Sequence, residues 1–378
     1  MSSQNGRYPN TASPCTVGPV TLPNRIVFPA WQVNYANQDG TITDKLITFY
    51  SDLAAGGCGL VIVGNVSVTD DSIPFDRIIR ADNDTYTDGL TALFSAIKAE
   101  GAVAGIQLTH FGRQSSSSFA GNTLMAPSAI PCPVMSQLDP DYEVRKMTLA
   151  DIARVREGYI DTAQRCAEAG AEVIEVHAGH GYLLNEFLSP FSNKREDAYG
   201  GSVENRAHLT VEIVEGIRQN VGDKVAVSVR ISGDEFVKGG LTPTDYEVIV
   251  PLFEDAGIDM LNVSAGVYAS MERVVPPPSL GETPHVPIAE AIKAYTDVPV
   301  CAVGSIFSVA TAEEILTGDR ADLCAMGRAQ MADPAIVRKS FKGREDEVTA
   351  CMKCNACTFW TTGDPYTYCM ANPDYQPA

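Results

Sequence analysis

Two stretches with the same sequence pattern decide the fold: Ala167–Val176 reads AEAGAEVIEV, and Phe253–Val263 reads FEDAGIDMLNV. In each stretch a helical pattern runs into a glycine, and a short apolar run follows it. Glycine at a helix end, followed by a buried strand, is typical of the turn between a helix and the next parallel strand. Both stretches therefore predict repeated helix–strand units.

This alternation extends over most of the chain. Short apolar runs predict eight strands: Arg25–Pro29, Leu60–Val63, Val103–Leu108, Val173–Val176, Val225–Ile231, Met260–Val263, Val298–Val303 and Leu323–Met326. Amphipathic stretches predict eight helices: Asp44–Ala55, Tyr86–Ala99, Leu149–Ala169, Val203–Asn220, Pro243–Ala256, Pro287–Tyr295, Ala310–Thr317 and Pro334–Phe341. Eight such units predict a closed α/β barrel, the TIM (β/α)8 fold. An open doubly wound sheet is the alternative, weakened because no GxGxxG follows the first strand.

Two segments depart from the alternation. Residues 109–151 form a long loop rich in Ser and Pro, which is typical of a functional loop or a cap. Residues 342–378 form a tail. We therefore expect a barrel over residues 1–341 and a short cysteine-containing C-terminal extension over residues 342–378.

Composition excludes several classes of function. The 378 residues carry 28 Lys and Arg against 47 Asp and Glu, a formal net charge of −19. A surface this acidic argues against nucleic acid and anionic membranes as partners. The N-terminal residues lack the apolar region of a signal peptide, and no apolar run is long enough to span a bilayer, so we expect a cytoplasmic protein.

Polar residues follow the predicted strands where a barrel carries its chemistry. His177, His180 and Tyr182 come directly after the fourth strand. Imidazoles can donate hydrogen bonds to an electron-rich oxygen, and a phenol can deliver a proton. A zinc pair or ordinary loop polarity are the alternatives for these three residues. Gln107 ends the third strand, and Arg230 ends the fifth, where a cation would stabilise negative charge on a ligand.

Glycines follow the last two strands, in Gly304-Ser305 and Gly327-Arg328. Glycine lets backbone N–H groups approach a phosphate closely, and these two loops are the usual phosphate site of such barrels. A phosphate, a planar polar heterocycle and a negatively charged ring together describe flavin mononucleotide (FMN).

Six motifs resemble the old yellow enzyme family, the NADH:flavin oxidoreductases, over most of the chain. They are PNRIVFPA (23–30), GIQLTHFGRQ (105–114), HAGHGYLLNEFLSPFSNKREDAYGGSVENR (177–206), VRIS (229–232), VGSI (303–306) and MGRAQMADP (326–334). The resemblance implies an FMN enzyme, an ene-reductase, that passes hydride from NAD(P)H through the flavin to the activated C=C bond of an α,β-unsaturated carbonyl or enoyl compound. The resemblance does not identify the alkene substrate. Members of this family often form homo-oligomers, so we also expect that this protein can form one. A flavin-binding module without activity is the non-catalytic alternative.

The resemblance also implies roles for individual residues. His177 and His180 match the pair that binds the substrate carbonyl, in the H-x-x-H form of the thermophilic-like branch, and Tyr182 matches the acid that protonates the α-carbon. Residues matching FMN contacts are Pro29, Ala30, Asn65, Gln107, Arg230, Gly304, Ser305, Gly327 and Arg328. Gln32, preceded by Trp31, departs from the Cys or Thr that tunes the flavin in the family.

The tail carries Cys351, Cys354, Cys357 and Cys369, separated by two, two and eleven residues. Four thiolates at such spacing predict a [4Fe–4S] cluster, with zinc or no metal as alternatives. The placement resembles the 2,4-dienoyl-CoA reductase and trimethylamine dehydrogenase group, in which a further flavin domain follows. The sequence stops nine residues after Cys369, so we expect electrons from NAD(P)H directly or from a separate redox partner protein. The alternative function is an FMN and iron–sulfur dehydrogenase that oxidises an amine or a saturated substrate.

Overall fold

A computed structural model describes residues 6–74, 76–116, 124–358 and 366–375. Eight parallel strands form its centre: β1 (Ile26–Phe28), β2 (Leu60–Ser67), β3 (Val103–Thr109), β4 (Val173–Ala178), β5 (Ala226–Ser232), β6 (Met260–Ser264), β7 (Val300–Val303) and β8 (Leu323–Ala325). Each strand pairs with the next, and β8 pairs with β1, so the sheet closes on itself. The closure confirms the TIM barrel and excludes the open sheet.

Eight helices surround the strands: α1 (Asp44–Ala55), α2 (Thr87–Ala99), α3 (Leu149–Glu168), α4 (Val203–Val221), α5 (Tyr246–Asp255), α6 (Val286–Lys293), α7 (Val309–Thr317) and α8 (Ile336–Phe341). Shorter helices are Met135–Leu138, Leu183–Leu188, Met271–Val274 and Gly327–Ala332. Single 3-10 turns are Asp84–Tyr86, Gly222–Lys224, Pro243–Asp245, Tyr268–Ser270, Pro278–Leu280, Glu345–Glu347 and Pro373–Tyr375. Every residue of β2, β3 and β4 is buried, because helices cover one face of the barrel and the opposite face forms its interior.

The strand register sets the levels of the barrel interior. Gln107 on β3 lies opposite Glu175 on β4, which in turn lies opposite Ser228 on β5. Two residues further toward the carboxyl ends, His177 lies opposite Arg230. The barrel therefore has a polar level at its mouth and a second polar level directly beneath it.

A hairpin that the sequence pattern does not predict packs against the barrel interior. Cys15–Val17 pairs antiparallel with Val20–Leu22. Its buried residues, such as Val17 and Leu22, join the same apolar cluster as Val27 and Leu60 of the barrel. Each strand has three residues, too few for an alternating pattern to be recognised.

The segment predicted as a long loop contains regular structure. Leu124–Ala126 and Val144–Lys146 form a parallel two-stranded sheet, and Met135–Leu138 forms a short helix between them. Residues 117–123 of this segment lie outside the described residues.

The described end of the tail packs on the connection between β1 and α1. Thr367 N–H donates to the Val33 carbonyl (3.1 Å), and the Tyr35 hydroxyl donates to the Thr367 carbonyl (2.5 Å). The rings of Phe49 and Tyr375 lie 5.1 Å apart. In the part of the chain that the structure describes, no helix has both the length and the apolar character needed to cross a membrane.

Candidate active site

The carboxyl ends of the strands open into two adjoining cavities that share Trp31 and Arg230. The first, called here the glycine cavity, is lined among others by Pro29, His285, Gly304, Ser305, Gly327 and Arg328. The second, called here the tyrosine cavity, is lined among others by Ala30, Gln32, Asn65, His177, His180, Tyr182 and Tyr268. All the residues proposed from sequence for catalysis line the tyrosine cavity, and those proposed for phosphate line the glycine cavity.

Two imidazoles follow β4 and contact each other. His180 Nδ1 lies 3.2 Å from His177 Nε2, and His180 Nε2 lies 2.7 Å from the Ser264 hydroxyl oxygen. His180 adopts a positive φ of 57°, which non-glycine residues rarely adopt, and its backbone N–H donates to the Ser232 hydroxyl (2.7 Å). Serines at the ends of β5 and β6 therefore fix the position of the second imidazole.

Burial and a nearby cation favour the neutral form of both imidazoles. Burial lowers the pKa of His177 and of His180 well below the usual value, and the positive charge of Arg230 lowers both pKa values further. A neutral imidazole carries one N–H, and donation from His177 Nε2 or His180 Nδ1 to a ligand oxygen would require their mutual contact to open.

Two phenols meet in the tyrosine cavity next to the imidazoles. The hydroxyl oxygens of Tyr182 and Tyr268 lie 3.1 Å apart, and the Tyr182 ring packs edge-on against His177 with centroids 5.0 Å apart. Burial raises the pKa of both phenols, so both are protonated at neutral pH. The hydrogen bond to Tyr268 acts in the opposite direction on Tyr182 and lowers its pKa, because it stabilises the Tyr182 phenolate.

Tyr268 and Ser264 were not assigned to the site from the sequence. Both belong to the carboxyl end of β6, Ser264 as its last residue and Tyr268 four residues later. The rule that placed His177 and Arg230 at strand ends applies equally to this strand. The signal was therefore present, but no motif drew attention to it.

The glycine cavity has a backbone cradle that side chains would fill. Gly304 has a φ of 131°, and a Cβ built there would lie 2.3 Å from His285 Nδ1. A Cβ on Gly327 would lie 3.0 Å from the Trp31 ring. Bare backbone at two adjacent strand ends fits an oxyanion group such as a phosphate.

Arg328 supplies a positive charge to the same cradle. Its guanidinium donates to the Ser305 hydroxyl (2.6 Å), the Pro276 carbonyl (2.9 Å) and the side-chain oxygen of Asn355 in the tail (2.5 Å). These three bonds hold the guanidinium between the end of β7 and the tail. The residues of the glycine cavity thus fit the phosphate of FMN.

Arg230 lines both cavities, and Gln107 lies one level beneath it in the barrel interior, opposite Glu175. The Arg230 guanidinium donates to the Ala30 carbonyl (3.1 Å), while its Nε has no hydrogen-bond partner among the described residues. Gln107 Oε1 is likewise buried and unpartnered within the described part of the chain. An unsatisfied buried polar atom costs about 1–3 kcal/mol, so these atoms fit a polar heterocycle that would pair with them.

The four tail cysteines line one cavity, together with Arg328, Asn355 and two exposed methionines, Met352 and Met370. Cys357 and Cys369 are buried, Cys351 is half-buried and Cys354 is exposed. Burial raises the pKa of Cys351, and it raises that of Cys357 to about 12. Among the described residues, no three or more His, Cys, Asp or Glu are arranged so that they could hold a metal ion.

The cysteine cavity adjoins the barrel mouth. The Trp31 indole N–H donates to the Cys357 carbonyl (3.2 Å), and Thr358, the next residue, lines the tyrosine cavity. The tail therefore contributes directly to the wall of the site.

A glycine cradle, a buried arginine, and paired imidazoles beside a phenol thus lie together at the mouth of a TIM barrel. The chain belongs to the NADH:flavin oxidoreductase / NADH oxidase family, whose profile matches residues 12–347.

Relatives fall into two lengths. The chain is 37% identical to the NADH oxidase of Thermoanaerobacter brockii over 353 residues, which are 92% of this chain and 53% of that protein. It is 39% identical to the NADPH dehydrogenase of Geobacillus thermodenitrificans over 327 residues, which are 85% of this chain and 91% of that protein. The chain thus spans about half of the first relative and nearly all of the second.

A solved structure extends the comparison to the tail. A complex of 2-naphthoyl-CoA reductase with 2-naphthoyl-CoA superposes with a TM-score of 0.92 at 27% identity. The match covers 98% of this chain and 58% of that chain. The shared fold therefore extends beyond the barrel.

Proposed function

We propose that this protein reduces the activated C=C bond of an α,β-unsaturated carbonyl or enoyl compound, with FMN as cofactor and NAD(P)H as electron donor. The observation that carries the proposal is the tyrosine cavity, where His177 and His180 face Tyr182 and Tyr268 beside Arg230. Polar reduction of an activated alkene requires hydrogen-bond donors to the carbonyl oxygen and a proton source for the α-carbon, and both kinds of group line this cavity.

The residues at the barrel mouth fit FMN. Gly304, Ser305, Gly327 and Arg328 would hold its phosphate, while Gln107 and Arg230 would contact its ring, and Pro29, Ala30 and Asn65 would line it. When bound, FMN supplies hydride transfer from NAD(P)H to the β-carbon of the alkene. Arg230 stabilises negative charge that develops nearby, because its guanidinium is buried and keeps a free Nε–H among the described residues.

His177 and His180 bind the carbonyl oxygen of the substrate and withdraw electron density from the alkene. Their low pKa values keep them neutral, so they act as hydrogen-bond donors rather than as acids. Hydrogen-bond donors aimed at the carbonyl oxygen stabilise the negative charge of an enolate-like transition state.

Tyr182 donates its hydroxyl proton to the α-carbon. The transfer leaves a phenolate, which accepts the hydrogen bond from the Tyr268 hydroxyl across the 3.1 Å contact. Tyr268 therefore stabilises the conjugate base of the acid, and it lies on the path by which a proton can return.

For the tail we propose a [4Fe–4S] cluster bound by Cys351, Cys354, Cys357 and Cys369. The support is that these four thiols line one cavity next to the site. Iron and acid-labile sulfide analysis of anaerobically purified protein tests this proposal, with four of each expected per chain. Cys357→Ser should abolish iron and Cys166→Ser, which changes a buried cysteine on α3, should retain it; zinc in place of iron would contradict the proposal.

The reductive function is tested by two anaerobic half-reactions on the FMN-loaded protein. NADPH or NADH should bleach the flavin absorbance, and cyclohexenone or an enoyl thioester should restore it. Failure of every enone and enoyl thioester to restore the absorbance would contradict the proposal. Bleaching by a tertiary amine without NAD(P)H would favour the oxidative alternative instead.

A further inference from the structure

Glu175 is a buried carboxylate in the barrel interior to which the proposed mechanism gives no role. It lies on β4, one level beneath His177, and is fully buried. A buried carboxylate is costly unless several donors surround it. Its donors therefore indicate what it does.

Three side chains donate to this carboxylate. Gln107 Nε2 donates to Oε1 (2.7 Å), Asn262 Nδ2 donates to Oε2 (2.9 Å), and the Ser228 hydroxyl reaches Oε2 at 3.4 Å. Burial raises the pKa of Glu175, while the charge of Arg230 and the hydrogen bonds from these three donors act in the opposite direction and favour the ionised form. Three donors and a nearby cation fit an ionised carboxylate, which can only accept hydrogen bonds.

An acceptor that cannot donate dictates the orientation of each amide. Gln107 must turn its NH2 toward Glu175, so its carbonyl oxygen faces the other way. That oxygen, Gln107 Oε1, is buried and unpartnered within the described part of the chain, as is Asn262 Oδ1. The reversed orientation would leave the amide oxygen against the carboxylate and present two N–H groups instead.

We propose that Glu175 is a positioning residue that fixes the carbonyl oxygen of Gln107 toward the single N–H of the flavin pyrimidine edge and offsets the charge of Arg230. The inference rests on the proposed binding of the FMN ring at Gln107 and Arg230. Glu175 would thus decide whether the ring site presents a hydrogen-bond acceptor or a donor, although Glu175 itself lines neither cavity.

Glu175→Gln tests the inference because it preserves shape and removes the charge. A glutamine can donate to Gln107 Oε1, so the amide of Gln107 loses its fixed orientation. We expect the Kd of the apoprotein for FMN to rise at least tenfold, consistent with a lost buried hydrogen bond. We also expect a more positive flavin reduction potential, since Arg230 is no longer offset and favours the anionic reduced ring.

The swapped double variant E175Q/Q107E provides the rescue. The amide introduced on β4 would then donate to the carboxylate introduced on β3, and the core keeps one negative charge. The second oxygen of that carboxylate would again accept from the flavin. We expect the double variant to regain most of the FMN affinity and the original potential. If Glu175→Gln alone does not fold, recovery of FMN affinity in the double variant would still support the inference.

Glu235→Gln is the matched control. Glu235 is also buried and accepts from Asn185, Ser189 and the Leu241 backbone, but it lies away from the proposed ring contacts. This variant should keep its FMN Kd within about twofold, as expected for a site that is independent of the ring.

The possible outcomes distinguish a failure of the proposed function from a failure of the inference about Glu175. Wild-type apoprotein that does not bind FMN would overturn the proposed function and the inference together. Tight FMN binding by the wild type with an unchanged Kd and potential in Glu175→Gln would overturn the inference alone. A double variant no better than the single variants would also overturn it.

Discussion

At the scale of single residues, burial has opposite effects on the pKa values of the two types of side chain that the proposed mechanism uses. Burial pushes the pKa of the imidazoles down and that of the phenols up, so His177 and His180 are neutral donors while Tyr182 and Tyr268 retain their protons. In the proposed mechanism the neutral imidazoles therefore donate hydrogen bonds, and the neutral phenols supply the proton.

Tyr182→Phe should slow reoxidation of the reduced flavin by cyclohexenone about 10²- to 10⁴-fold, the usual contribution of a general acid. Flavin reduction by NADPH should be spared, because it needs no protein proton. Stopped-flow absorbance of the two half-reactions measures both rates. An equal loss in both would rule out the acid role.

Tyr268→Phe should slow the same reoxidation by about tenfold to a hundredfold, the value of one hydrogen bond to a developing anion. The pKa of Tyr182 should rise further, because its phenolate loses a donor. Tyr142→Phe is the control, since Tyr142 packs near Tyr268 but hydrogen-bonds to Arg113 and Cys132 outside the cavity. The account would be wrong if the two variants slowed the reaction alike.

The histidines also predict a pH dependence. Because their pKa values lie well below the usual value of about 6.5, the enone-dependent rate should show no inflection near pH 6.5. Activity should fall only at lower pH, as the imidazoles gain protons and lose their neutral form. A pH series of reoxidation rates checks this, and a midpoint near 6.5 would contradict it.

At the scale of secondary structure, the sequence predicted the eight strands and eight helices because glycine ends helices such as α3 and α5 just before a buried run. It missed the hairpin Cys15–Val17 with Val20–Leu22, since three-residue strands have too little periodicity. The strand-end rule found His177 and Arg230 but not Tyr268, which follows its strand without a motif.

Gly304→Ala should empty the flavin site. Its φ of 131° and the 2.3 Å approach of a Cβ to His285 mean that either the loop or the histidine must move. Flavin content after purification should fall steeply. Gly239→Ala, at a φ of 78° with no atom within 4 Å of the added Cβ, controls for backbone strain alone and should keep its flavin.

At the scale of the whole molecule, the tail completes the site. Arg328 donates a hydrogen bond to Asn355, and the Trp31 indole donates one to the Cys357 carbonyl. Thr358 lines the tyrosine cavity. The sequence identified the cysteines by spacing, but it could not place them, because contacts such as Thr367 with Val33 join residues more than 300 positions apart. The role of Glu175 was hidden for the same reason, since its partners lie on three other strands.

The proposal that this protein reduces activated alkenes is tested most directly by isotope labelling of the product. Cyclohexenone is reduced with NADPH by the FMN-loaded enzyme in D2O, and the cyclohexanone is analysed by NMR before its α-positions exchange. We expect protium from NADPH at the β-carbon and one deuterium at the α-carbon, delivered through the exchangeable hydroxyl of Tyr182. Oxidation of NADPH with no labelled ketone would contradict it.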